Sequence, residues 1–218
     1  MRKRGAAEPM TRWRGKDCSR LLEIILACNE LKAIPRMGWR VRGVRDGESV
    51  AEHSYAVALI AMLIADRLDI DIDTGKLLKI ALVHDLPEHM LGDIHAPASQ
   101  ILGVEVKEAA ELRVLEQLFE GLPSGDEYIA LWKEFEERSS VEGRLVRAID
   151  KLEMFTQAYQ YECAGNRMLD DFWGWEGNMR DFDSKEIQDL YDELMELRTR
   201  DGCECSGTGR NGEDDALE

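Results

Sequence analysis

Leu77-Leu78-Lys79-Ile80-Ala81-Leu82-Val83-His84-Asp85-Leu86-Pro87-Glu88 is the stretch on which the fold turns. An apolar run at helical spacing ends in an adjacent imidazole and carboxylate. His84 lies four residues after Ile80 and seven after Leu77, so it extends the inward stripe of a helix. Pro87 then disturbs that helix, because a proline ring cannot continue the backbone ladder. An imidazole beside a carboxylate is a good pair for a hard-to-borderline divalent cation.

The same logic extends outward to two more residues. His53, in Glu52-His53-Ser54, shares a helix face with Val57, Ile60 and Ile64. Asp150, in Ala148-Ile149-Asp150-Lys151-Leu152, lies one turn from Val146 and one turn from Met154. Three helices thus aim a polar group at an apolar interior. A single histidine on such a stripe is more often a satisfied core residue. A single buried aspartate can serve Arg147 or Lys151 as a partner. The set says more than its members, because burying an unpaired carboxylate costs several kcal/mol, roughly, and one divalent cation offsets all three placements. All four histidines (His53, His84, His89, His95) fall between residues 53 and 95. Glu88 stands one turn beyond His84, within reach of a water activated at such a site, and a carboxylate there suits a general base. The alternative for Glu88 is an exposed first-turn glutamate.

Around these residues the periods are helical. Asp17 opens a helix to about Ala33, with Leu21, Leu22, Ile25, Leu26 and Leu31 on its inner side, before Pro35 and Gly38 break it. Ser49 caps a helix ending near Leu68, and Asp73 or Thr74 opens the one that reaches His84. Residues 92–103 read as a loop containing Pro97. Further helices are expected at about 104–120, 126–138, 140–164 and 184–199. Only Trp39–Val44 has the look of a short extended piece. The fold is therefore read as all-α, a single helical bundle over 17–200 with a metal site between helices. Residues 1–16 read as a flexible basic arm and 201–218 as a disordered acidic tail.

Composition excludes several function classes. The net charge of −16 opposes binding to a nucleic-acid polymer. Small anionic substrates stay open, since a metal and a few arginines reverse the sign locally. The longest apolar run, Ala56–Ala65, is about half of the roughly 20 residues a membrane span needs. Five cysteines and no secretory signal fit reduced thiols and a cytoplasmic protein. Cys203 and Cys205, in a polar Gly-rich tail, make a poor zinc site.

Three further segments complete a recognisable pattern. They are Gly92-Asp93-Ile94 after the doublet, Asp150-Lys151-Leu152-Glu153, and Pro35-Arg36-Met37-Gly38-Trp39 with Arg42-Gly43-Val44. Leu131-Trp132-Lys133-Glu134-Phe135-Glu136 belongs with them. Over roughly residues 20–198 the chain resembles the HD-domain superfamily, and more narrowly its 5′-deoxynucleotidases of the YfbR-like group. The resemblance implies one divalent metal ion (Mn, Co, Fe, Ni, Zn or Mg) held by His53, His84, Asp85 and Asp150. It implies Glu88 as the residue that positions or deprotonates water. Asp93 would lie near the sugar, favouring deoxyribose, and Arg36 at the phosphate or sugar. Trp39 would pack near the base, although a core position is equally open to it, since Met37 and Gly38 separate it from Arg36. The implied reaction is hydrolysis of a deoxyribonucleoside 5′-monophosphate to nucleoside and phosphate by a homodimer. The alternatives are another HD phosphohydrolase (cyclic nucleotide, triphosphate or alarmone) or a non-catalytic nucleotide- or partner-binding HD module. His89 reads as supporting the ligands or as surface, and His95 as part of its loop.

Overall fold

The computed structural model describes residues 17–174 and 184–202. The arm 1–16 and the tail beyond 202, with Cys203 and Cys205, lie outside the described residues. Among the described residues the regular structure is helical, with one isolated bridge between Pro35 and Ser49. The helices are α1 (Asp17–Glu30), α2 (Met37–Arg40), α3 (Val50–Ala65), α4 (Thr74–Val83), α5 (Glu88–Leu91) and α6 (Ala96–Leu102). They continue with α7 (Val104–Phe119), α8 (Gly125–Glu137), α9 (Val141–Cys163), α10 (Asp170–Trp173) and α11 (Lys185–Arg200). A 3-10 turn, Leu31–Ala33, follows α1.

Local chemistry sets the helix starts. Ser49 accepts from the Glu52 N–H while the Glu52 carboxylate reaches back to the Ser49 N–H, a reciprocal cap that fixes the start of α3. The Asp73 side chain caps α4 through the Lys76 N–H at 2.9 Å, and Ser140 caps α9 through the Gly143 N–H at 3.0 Å. α9 is the central element and packs on α3, α4, α8 and α11. Val146, Ile149, Phe155 and Ala158 on it are fully buried. Each large apolar side chain withdrawn from water this way contributes about 1.5–3 kcal/mol. Where α8 and α9 cross, Gly143 leaves the space that the Glu134 carbonyl occupies. α11 is fastened to α9 by a buried pair in which Arg198 donates to both carboxylate oxygens of Glu162, at 2.7 and 3.0 Å.

Three expectations are corrected. Trp39–Val44 is not extended: α2 begins the segment and a turn closes it, with Arg42 and Val44 both donating to the Trp39 carbonyl. Gly43 (φ 79°) takes the left-handed backbone that this reversal needs. Residues 92–103 are not all loop, because α6 starts at Ala96 with Pro97 in its first turn, where the missing N–H has no helical partner to lose. On α1 the buried residues are Ile24 and, just beyond its end, Leu31, whereas Leu22, Ile25 and Leu26 are 55, 53 and 57% exposed. The helix was placed correctly but rotated, because its apolar residues wrap more than one face.

Gly143→Ala tests the α8–α9 crossing. A Cβ there would meet Glu134 O at 2.3 Å. The variant is expected to lose about 1–3 kcal/mol, the usual range for overpacking, in urea denaturation.

Candidate metal centre

The ends and faces of three helices converge on one point. α3 brings His53, α9 brings Asp150, and the turn after α4 brings His84 and Asp85. His53, His84 and Asp150 each offer a donor atom within 4.8 Å of the others. His53 Nε2 lies 3.1 Å from Asp150 Oδ1 and 3.6 Å from Asp85 Oδ2, and His84 Nε2 lies 3.3 Å from Asp85 Oδ2. All four expected ligands are therefore together. Yet both Nε2 atoms are buried without a hydrogen-bond partner of proper geometry. Close donors that fail to bond one another, with lone pairs turned to a shared point, fit a cation with nitrogen and oxygen ligands.

The far side of each imidazole is tied down. His84 Nδ1 lies 2.8 Å from the Ala81 carbonyl, and His53 Nδ1 lies 2.6 Å from Glu153 Oε2. Both bonds leave Nε2 as the free donor atom. Burial and the Arg36 charge press His53 toward neutrality, but the Asp150 and Glu153 carboxylates prevail and raise its pKa to about 10, so a cation bound at Nε2 would take the place of a proton there. Burial also works against the charged form of Asp85. The charges of His84, Arg36 and His53 nonetheless hold its carboxyl well below the usual range. Asp150 is lowered in the same way, against burial, by Lys151, His53 and His84.

A cleft of about 210 Å³ opens beside these ligands. Asp85 and Asp150 reach its wall with Arg36, Glu88 and Asp93. Glu88 begins α5, is 4% exposed, and has one carboxylate oxygen without a partner, so the surface reading of this residue is excluded. Burial, with the charges of Asp85 and Asp93, pushes its carboxyl well above the ordinary range. Arg36 donates to Asp85 Oδ2 at 3.1 Å and stands 3.9 Å from Asp93 Oδ1. The Met37 N–H also donates to Asp93. Trp39 contributes to the wall but is 2% exposed, packed against Tyr161 and Phe172, with its indole N–H donated to Glu48 Oε1 at 2.7 Å. His95 lines the cleft, while His89 faces Glu30 on α1 at 3.8 Å.

Sequence reasoning passed over several residues. Arg42, Lys107, Arg147 and Lys151 line the cleft and, with Arg36, set five cations against the carboxylates of Asp85, Glu88, Asp93, Glu136 and Asp150 on its wall. Arg147, one turn before Asp150 on α9, and Lys151, directly after it, entered the sequence reading only as ion-pair partners of Asp150. Lys107 and Glu48 carried no such signal, because tertiary packing alone brings them in. Glu153 was readable, three residues after Asp150 and so on the same helix face.

Comparisons with known proteins agree with this geometry. Residues 28–188 match the HD-domain family. The human protein named 5′-deoxynucleotidase HDDC2 is 37% identical over 190 residues, covering 85% of this chain and 89% of that protein. The 5′-deoxynucleotidase YGK1 of Saccharomyces cerevisiae is 32% identical over 176 residues, covering 77% of this chain and 78% of its own. Among solved structures, the PH0347 protein of Pyrococcus horikoshii OT3 superimposes with a TM-score of 0.70 at 40% identity, covering 81% of this chain and 99% of that one.

Metal-stripped protein is expected to gain thermal stability when a divalent cation is returned. A cation at a hundred times its Kd contributes about 2.7 kcal/mol through mass action. Differential scanning fluorimetry should show the shift in the native protein and lose it in His84→Ala.

Proposed function

This chain belongs to the HD-domain family, and we propose that it is a metal-dependent phosphomonoesterase that hydrolyses deoxyribonucleoside 5′-monophosphates to deoxynucleoside and phosphate. The observation that carries the reading is Glu88, a buried carboxylate on the wall of a cleft lined by five cations and five carboxylates, beside the His53–His84–Asp85–Asp150 cluster. The names borne by the human and yeast relatives support the substrate class.

In this reading His53, His84, Asp85 and Asp150 hold one divalent ion of manganese, cobalt, iron, nickel, zinc or magnesium. Bound there, it supplies a Lewis acid for the phosphoryl oxygen and lowers the pKa of the attacking water. Glu88 takes the proton from that water. Its burial on the cleft wall beside the ligands suits it to that role. Arg36, its guanidinium held at the cleft wall by Asp85 and near Asp93, contacts the phosphate or the sugar. Asp93, held by the Met37 N–H, meets the sugar and favours the deoxy form. Trp39 forms the rigid wall near the base. Five cations on the wall, Arg36, Arg42, Lys107, Arg147 and Lys151, balance its five carboxylates, so that a bound divalent cation would leave the cleft net positive toward a small anion in a strongly acidic chain.

Residues 17–200 form the catalytic domain in this reading. The protein works in the cytoplasm as a homodimer. No described helix is long and apolar enough to cross a membrane. The exposed Leu22, Ile25 and Leu26 of α1 offer an apolar face for a second copy.

Phosphate release from a panel of ribo- and deoxyribonucleoside monophosphates, with metals restored after chelation, tests the activity. Faster turnover of the deoxy substrates is expected, and equal rates on both would sink the substrate assignment. Glu88→Gln should cut kcat by about 10²–10⁴-fold, the usual worth of a general base, while keeping the cation-induced thermal shift. Unchanged turnover would remove Glu88 from the mechanism.

A further inference from the structure

The Nδ1 side of His53 faces away from the cleft and into the protein, where it meets Glu153. We propose that Glu153 is a positioning residue for the metal centre, acting through His53. The inference rests on the metal-centre reading above.

Three observations carry it. The first is isolation from water. His53 is fully buried and Glu153 is 3% exposed, so the 2.6 Å bond between them has no solvent competitor. An acceptor at Nδ1 keeps the proton on that nitrogen and turns the Nε2 lone pair toward Asp85 and Asp150.

The second observation is the contrast between the two histidines. His84 is oriented by the neutral Ala81 carbonyl at 2.8 Å, whereas His53 is oriented by a carboxylate. A carboxylate behind an imidazole makes it the stronger electron donor and adds negative charge near the cation. The two histidines are therefore unequal ligands. His53 is the one whose donor strength a side chain sets.

The third observation is the setting of Glu153 on α9 and beside Glu48. Glu48, His53 and Glu153 each place an atom within 4.8 Å of the others. Glu48 receives the Trp39 indole N–H at 2.7 Å, and its backbone N–H donates to Tyr161 Oη at 2.8 Å. Trp39 is also part of the cleft wall. Trp39 and Tyr161 thus hold the half-buried Glu48 near Glu153, where its like charge leaves the His53 imidazole as the hydrogen-bond partner of Glu153. Glu153 follows Asp150 by one turn, so α9 supplies both a candidate ligand and the group that aims the ligand of α3.

Mn²⁺ binding to the metal-stripped full chain, followed by isothermal titration calorimetry, tests this. Glu153→Leu keeps the volume and removes the acceptor, and it is expected to weaken Mn²⁺ binding 10–100-fold. Glu153→Gln keeps an acceptor oxygen without the charge and should lose only a few-fold. Glu162→Gln, which disturbs a buried ion pair elsewhere on α9, should lower Tm with Mn²⁺ affinity unchanged. Native affinity in folded Glu153→Leu overturns the proposal. If that variant does not fold, Glu153→Gln decides: a few-fold loss supports the role and native affinity overturns it. A native protein that binds no Mn²⁺ overturns the metal-centre reading instead.

Discussion

Two imidazoles and two carboxylates cannot stand close together in a helix bundle unless something balances their charge and satisfies their lone pairs. Much of this structure answers that constraint. Arg36 and Lys151 approach the ligand carboxylates from either side, at 3.1 and 3.6 Å. The Ala81 carbonyl and Glu153 hold the outer nitrogens of the histidines. What is left over is two buried Nε2 atoms aimed at a common point, the feature that a cation completes. The helices that deliver these groups are fixed by ordinary means, namely side-chain caps at Ser49, Asp73 and Ser140 and an apolar core around α9.

The sequence made the ligand set legible because each member sits on a strongly periodic helix. His53 follows the reciprocal cap at Ser49 and Glu52, and Asp150 lies between Val146 and Met154 on the most buried helix of the bundle. Periodicity served less well where apolar residues surround a helix. On α1 it identified the element and missed its rotation, so that Leu22, Ile25 and Leu26 face outward. Short elements failed for a different reason. Pro97 signals a break in isolation and a helix start in context, and the turn around Trp39 depends on Tyr161 and Phe172, over a hundred residues away. Glu48 belongs to the same class, since nothing near it in sequence announces that it stands behind His53.

The charge distribution resolves an apparent contradiction. A chain with a net charge of −16 gathers five cationic side chains on one cleft. Several of these cations have a nearby acidic partner, as with Lys107 and Glu111, or Arg147 and Glu136. They are held in place before any ligand arrives, and preorganised charge of this kind loses little when an anion binds. The acidic surface around the cleft repels polyanions, leaving small anions as the ones that reach its cations.

The bridge between Pro35 and Ser49 has a consequence for how such a site diversifies. Arg36 N–H donates to the Glu48 carbonyl at 3.0 Å and Val50 N–H to the Ile34 carbonyl at 2.9 Å, so residues 34–50 leave and rejoin the bundle through one narrow neck. Arg36 and Trp39, both facing the cleft, lie inside that loop, while His53 begins just beyond it on a separately capped helix. The loop is in effect a cassette. Arg36, Gly38, Trp39 and Arg42 within it line the cleft, so changes at these positions would retune what the cleft accepts, while the neck keeps the helix that carries His53 where it is.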